Sequence, residues 1–192
     1  ESVPRDTIVK LLDRLDCLVV VDECYFEFHG ETVLDLLPRY EHLFVMRSFS
    51  KAFGLAGLRV GYGLGGAELC DYLMRTAQAY SVNRLAQAAA IAALDDLEFA
   101  HKRIAEVKKD REWMRAELEA LGFKAHASAT NFLLVNTRGA GKTATQLVTE
   151  LRERGIYIAD FTGFPGLDEY SARITIGSRD ENRALLSRLK AK

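Results

Sequence analysis

The sequence predicts an α/β fold: a mixed, mostly parallel sheet in the first part and a small α/β domain in the second. Three observations predict it. Two apolar runs, residues 17–21 and 43–46, lack the alternation of a half-exposed strand and read as parallel strands buried on both faces. Helical periodicity surrounds them. After residue 122 the texture becomes strand, helix, strand, strand, helix, with no internal repeat.

Each element has its own signature. Ser2 and Pro4 mark a helix start, and Ile8, Leu11, Leu12 and Leu15 form its apolar stripe. The first strand ends at Asp22 and the second at Arg47-Ser48. A third, residues 58–62, is dense in glycine. Residues 85–94 are alanine-rich and helical. A long amphipathic helix follows, with Phe99, Ile104, Val107, Met114, Leu118 and Leu121 on one side and Gly122 as its stop. Residues 131–135, 156–158 and 172–176 read as strands, and 145–154 as a helix stopped by Gly155. A final helix opens on the capping box Ser178-Arg179-Asp180-Glu181.

Composition narrows the function. Lysines and arginines number 26 against 27 acidic residues, and this dispersed balance argues against nucleic acid or an anionic membrane as partner. No run approaches the roughly eighteen apolar residues of a membrane span, and no signal peptide is recognisable. Three unevenly spaced cysteines suit a reducing cytoplasm rather than a disulfide framework. The four histidines lack metal-ligand spacing, so no metal is expected.

Chemistry gathers where the strands finish, at the carboxyl ends that bind ligands in open α/β sheets. Asp22-Glu23-Cys24-Tyr25 closes the first strand and Ser48-Phe49-Ser50-Lys51 the second. Arg59 follows eight residues after the lysine, and Arg173 opens a late strand. A lysine in such a cleft loses its proton more readily than a solvated one, and the neutral amine attacks aldehydes. Asp22 could hold a heterocyclic nitrogen protonated, as an electron-sink cofactor requires. Ser48, Ser50 and Arg59 offer hydroxyls and a guanidinium fork for a phosphate monoester, and Arg173 could clamp a carboxylate. Taken singly, each has a plainer reading: surface lysine, turn-capping aspartate, ion-paired arginine, strand-edge charge. Their joint order singles out the site.

Val20-Val21-Asp22-Glu23-Cys24-Tyr25-Phe26-Glu27-Phe28, Arg47-Ser48-Phe49-Ser50-Lys51-Ala52-Phe53-Gly54-Leu55-Ala56-Gly57-Leu58-Arg59-Val60-Gly61-Tyr62 and Arg173-Ile174-Thr175-Ile176-Gly177 together resemble the class I/II, fold-type I aminotransferases. Their histidinol-phosphate branch is the nearest likeness, and the resemblance runs through essentially all 192 residues. It implies pyridoxal 5'-phosphate (PLP) as cofactor. Asp22 would meet the pyridine nitrogen, Tyr25 the phenolic oxygen, and Ser48, Ser50 and Arg59 the phosphate. Lys51 would hold the cofactor covalently and shuttle a proton between it and the substrate's α-carbon. Arg173 would receive the substrate's anionic end, with Asn131 nearby; Asn131 could equally bond backbone at a strand end. The resemblance further implies transfer of an amino group between an amino acid or amine and a 2-oxo acid, in a cytoplasmic homodimer. Residues 1–96 would be the C-terminal part of the large PLP-binding domain, and 97–192 the connecting helix and small domain.

The sequence departs from that family in two respects. Such enzymes are about twice this long, and Glu1 aligns just after the family's Asn-Pro-x-Gly turn, so the chain is expected to be a fragment. Ala159 stands where the histidinol-phosphate enzymes usually carry an arginine, which removes five donors. Three other readings stay open: a phospho-amino-acid decarboxylase on the same scaffold, an aminotransferase-like effector domain of a regulator, and an inactive fragment. Gly139-Ala140-Gly141-Lys142-Thr143 imitates a phosphate-binding loop, but Asn136 stands where its first glycine is needed. Thr143 or Thr145 as a helix cap explains the same letters.

Overall fold

The computed structural model describes residues 2–190. Glu1, on which the alignment of the chain's start rests, lies outside the described residues, as do Ala191 and Lys192. The chain divides into two compact units, Glu1–Ile104 and Ala105–Lys192.

In the first unit, α1 (Arg5–Arg14) starts after Pro4, which takes the N-cap position. Its fixed φ and lack of an N–H suit the start of a helix. Ile8 and Leu12 are buried, while Leu11 and Leu15 stay outside at 43% and 41% exposure. β1 (Val19–Asp22) leads through the short α2 (Phe26–His29) to β2 (Leu43–Ser48). β1 and β2 are parallel, with Val19 opposite Leu43 and Asp22 opposite Met46. β3 (Gly61–Gly65) runs antiparallel to β2, placing Gly61 opposite Ser48.

β3 lies three residues later than the sequence predicts. Ala56–Leu58 forms a 3-10 turn and Arg59 is left-handed at φ 56°, so extended pairing begins only beyond them. The first two strands also differ from expectation, because they are buried on one face rather than both. Val19, Val21, Leu43 and Val45 pack with Ile8, Leu12, Val33, Leu36 and Tyr40. Val20 and Met46, which point the other way, remain 47% and 38% exposed. On that outer face the Phe44 ring lies across β3. A β-carbon on Gly63 would come within 2.1 Å of it, and one on Gly65 within 2.8 Å.

The unit continues with α3 (Ala67–Thr76) and α4 (Arg84–Asp95), the latter capped by Asn83, whose side chain accepts from Ala86 N–H at 2.9 Å. Ala86 and Ala90 of α4 pack with Phe49 and Val60. This small cluster lies under the turn that carries Lys51.

The second unit takes residues 105–120 of α5 (Leu97–Ala120), which ends as expected before Gly122 at φ 87°. Its sheet has the order β4 (Lys124–Ala125), β5 (Phe132–Asn136), β7 (Ser171–Thr175), β6 (Ala159–Asp160), all antiparallel. β6 falls just after the 156–158 segment predicted as a strand. α6 (Ala144–Glu153) and α7 (Arg179–Lys190) contribute Leu147, Leu151, Leu185 and Leu186 to one core with Met114, Leu118, Leu133, Val135 and Ile174. Ser178 and Glu181 form the expected box, the Ser178 N–H donating to the Glu181 carboxylate at 2.7 Å. The phosphate-loop imitation is a helix start. Thr143 caps α6 in a reciprocal box with Gln146.

Candidate active site

Parallel pairing of β1 with β2 brings their carboxyl ends side by side. The antiparallel register of β3 brings its amino end to the same place. Asp22, Ser48 and the residues before Gly61 therefore gather at one end of the sheet.

Asp22 ends β1 with an exposed side chain. Its Oδ1 accepts from the Cys24 N–H at 2.9 Å, which turns the chain toward Tyr25, the N-cap of α2. Ser48 ends β2, and its Oγ accepts from the Ser50 N–H at 3.0 Å. Phe49 anchors this turn from below. It is 5% exposed, with ring centroids 5.0 Å from Phe53 and 5.6 Å from Tyr62. Its carbonyl accepts from Leu55 N–H, and the Lys51 carbonyl from Gly54 N–H. Lys51 is half-buried, its Nζ 5.6 Å from the centre of the Tyr25 ring.

The Cys24 thiol reports on this neighbourhood. Burial pushes its pKa up to about 11, with the Asp22 carboxylate adding to the rise and the Lys51 ammonium opposing it. Aspartate and lysine thus act on one atom from two strand ends. At about pH 8 roughly one thiol in a thousand would be ionised there, so Cys24 should alkylate about a hundredfold more slowly than an ordinary exposed thiol. Peptide mapping after timed iodoacetamide treatment checks this against the exposed Cys17. Equal rates would contradict the described environment.

Arg59 sits in a backbone region that side-chain-bearing residues rarely adopt, at φ 56°. Its Nη1 donates to the Ala56 carbonyl at 2.9 Å, and the side chain is exposed. Asn83 ties the same turn down, its amide donating to the Leu58 carbonyl at 3.4 Å.

Arg173 and Asn131 belong to the second unit, whereas the other six predicted residues lie in the first. Arg173 stands on the face of β7 turned away from the core, in register with Leu134 and Ala159. Its guanidinium carbon lies 5.4 Å from the ring centres of both Phe132 and Phe161, and its buried Nε has no hydrogen-bond partner. Asn131 precedes β5 and accepts from the Ile176 N–H through its backbone carbonyl.

Sequence reasoning overlooked the layer behind the first site. Glu23 follows Asp22 on the opposite side of the strand, and Arg47 precedes Ser48 in the same way. The two pair at 2.9 Å with side chains only 7% and 10% exposed. A charged residue at the end of an apolar run was the available signal. Among the described residues no group of three His, Cys, Asp or Glu could hold a metal ion.

A family model described as "Aminotransferase class I and II" matches residues 2–189. A histidinol-phosphate aminotransferase of Methanothermobacter thermautotrophicus is 40% identical over 185 residues, covering 96% of this chain and 50% of that protein. The crystal structure of histidinol-phosphate aminotransferase from Sinorhizobium meliloti in complex with pyridoxal-5'-phosphate superposes with a TM-score of 0.85. It is 28% identical, over 97% of this chain and 52% of that one. L-threonine-O-3-phosphate decarboxylase from Porphyromonas gingivalis gives a TM-score of 0.82 and 29% identity, over 98% of this chain and 59% of that one. The chain spans about half the length of the curated relatives it matches.

Proposed function

Because this chain belongs to the class I and II aminotransferase family, we propose that it supplies the lysine-bearing part of a PLP-dependent enzyme similar to histidinol-phosphate aminotransferases. That enzyme transfers an amino group between an amino acid or amine and a 2-oxo acid. The observation that supports the reading is the parallel pairing of β1 with β2, which brings Asp22 and the turn carrying Lys51 to the same end of the sheet.

The residues present fit the cofactor. A carboxylate, a phenol, an amine, two hydroxyls and a guanidinium complement a pyridine nitrogen, a phenolic oxygen, an aldehyde and a phosphate. Asp22 would hold the ring nitrogen protonated, Tyr25 would meet the phenolic oxygen, and Ser48, Ser50 and Arg59 would bind the phosphate. When bound, the cofactor supplies an electron sink that acidifies the substrate's α-hydrogen. Lys51 Nζ, half-shielded from water, would take that proton and give it back. Arg173 pairs with the substrate carboxylate, its buried Nε awaiting an acceptor. Asn131 would assist it at the substrate. Residues 1–96 would be the latter part of the large cofactor domain and 97–192 the connecting helix and small domain, within a cytoplasmic homodimer acting on small molecules. Among the described residues no helix is long and apolar enough to cross a membrane.

Likeness to the P. gingivalis decarboxylase supports a second reading, decarboxylation of a phosphorylated amino acid, which would use the same cofactor residues. Assaying keto acid against carbon dioxide separates the two.

Treating the chain with PLP and then borohydride should fix the label on Lys51, as tryptic mass mapping would read it. Label spread evenly over the lysines would sink the proposal.

A further inference from the structure

We infer that Glu23 and Arg47 are positioning residues: their buried pair, on the reverse side of the sheet, sets the spacing between Asp22 and the Ser48–Lys51 turn. The inference rests on the reading of these as cofactor residues.

The connections run through adjacent residues. Arg47 donates from Nη2 to Glu23 Oε2 at 2.9 Å and from Nε to the same oxygen at 3.1 Å. It also donates to Thr32 Oγ1 at 2.9 Å, and that hydroxyl donates in turn to Glu23 Oε2 at 2.9 Å. Glu23 Oε1 accepts from the Val33 N–H at 2.8 Å. The guanidinium carbon lies over the Phe26 ring of α2, 3.5 Å from its centre. Glu23 N–H donates to the Met46 carbonyl at 2.8 Å, the last backbone bond between the two strands.

Three members of this network adjoin a proposed cofactor residue in the chain. Glu23 is bonded to Asp22, Arg47 to Ser48, and Phe26 to Tyr25. Because side chains alternate along a strand, locking 23 and 47 behind the sheet presents 22 and 48 in front of it. A buried ion pair contributes little net stability against well-packed apolar replacements. What an apolar pair cannot reproduce is the convergence of Arg47 Nε, Arg47 Nη2 and the Thr32 hydroxyl on one carboxylate oxygen, which holds the two side chains at a set distance. Glu27 faces the network from α2, with one buried carboxylate oxygen lacking a hydrogen-bond partner and burial raising its pKa.

The test compares stability with cofactor affinity in the 192-residue chain. The double variant Glu23→Gln/Arg47→Met keeps an acceptor for the Val33 N–H and an apolar side chain on Phe26 while removing both charges. It should melt within a few degrees of the parent, yet bind PLP about tenfold or more weakly, as loss of an orienting partner behind a ligand does. The absorption band of the bound cofactor should also shift its pH midpoint. Arg47→Lys should not restore affinity. If the double variant fails to fold, Thr32→Val decides, since it removes only the shared hydroxyl; about threefold weaker binding is expected. Unchanged affinity and an unchanged pH midpoint in the folded variants would overturn the inference. Absence of a Lys51-dependent band in the parent would instead refute the cofactor reading itself.

Discussion

Lys51→Ala should lower the rate of the amino-transfer half-reaction by at least about 10²–10⁴-fold, the range that loss of a positioned proton carrier produces. The measurement is single-turnover absorbance in a protein carrying the complete fold, with cofactor in excess so that weaker binding does not enter. Lys51 lies half-buried at the end of β2, held by the Phe49 anchor and facing the Tyr25 ring. Among the described residues no lysine lies within β1, β2 or β3, and Lys51 follows β2 by three residues. Lys51→Arg should be equally inactive, because a guanidinium stays protonated at any workable pH and cannot accept the proton. A rate within about tenfold of the parent would show that the proton moves by another route.

The second expected result concerns Arg59 and has two opposite signs. Arg59→Gly and Arg59→Ala both remove the guanidinium, and both should weaken PLP binding about 10- to 100-fold, the worth of a charge-assisted hydrogen bond. Their stabilities should differ. At φ 56° a β-carbon costs about 1–2 kcal/mol that glycine avoids, less the roughly 0.5–1 kcal/mol of extra chain entropy that glycine loses on folding. The glycine variant should therefore be about 1 kcal/mol more stable than the alanine variant in urea melts. Arginine persists in a conformation that favours glycine, as expected where a functional side chain outweighs local backbone preference. Equal stabilities would remove that argument, and undiminished affinity would remove Arg59 from the phosphate site.

Much of the fold was legible because its signals were local. Gly122 stopping α5, the Ser178–Glu181 box and the unalternating runs of β1 and β2 each depend on a few neighbouring residues. What was misread depended on partners distant in the chain. Val20 and Met46 look like core residues by composition, and only the one-sided placement of α1 and residues 33–40 leaves them exposed. The start of β3 was misplaced because nothing in Leu58-Arg59-Val60 signals a left-handed arginine. Within the candidate site, Asp22 and Lys51 could be picked out by residue type and order. Glu23 and Arg47 could not, since their meaning lies in a contact across 24 residues.

The Phe44 ring and the bare backbone of β3 share one volume. Neither side can therefore evolve alone. A methyl group at position 63 would be tolerated only after the aromatic ring had shrunk, and a smaller residue at 44 would leave a gap until a glycine gained a side chain. The two strands are bound by epistasis, and the order in which their substitutions arrive decides which sequences this sheet can reach.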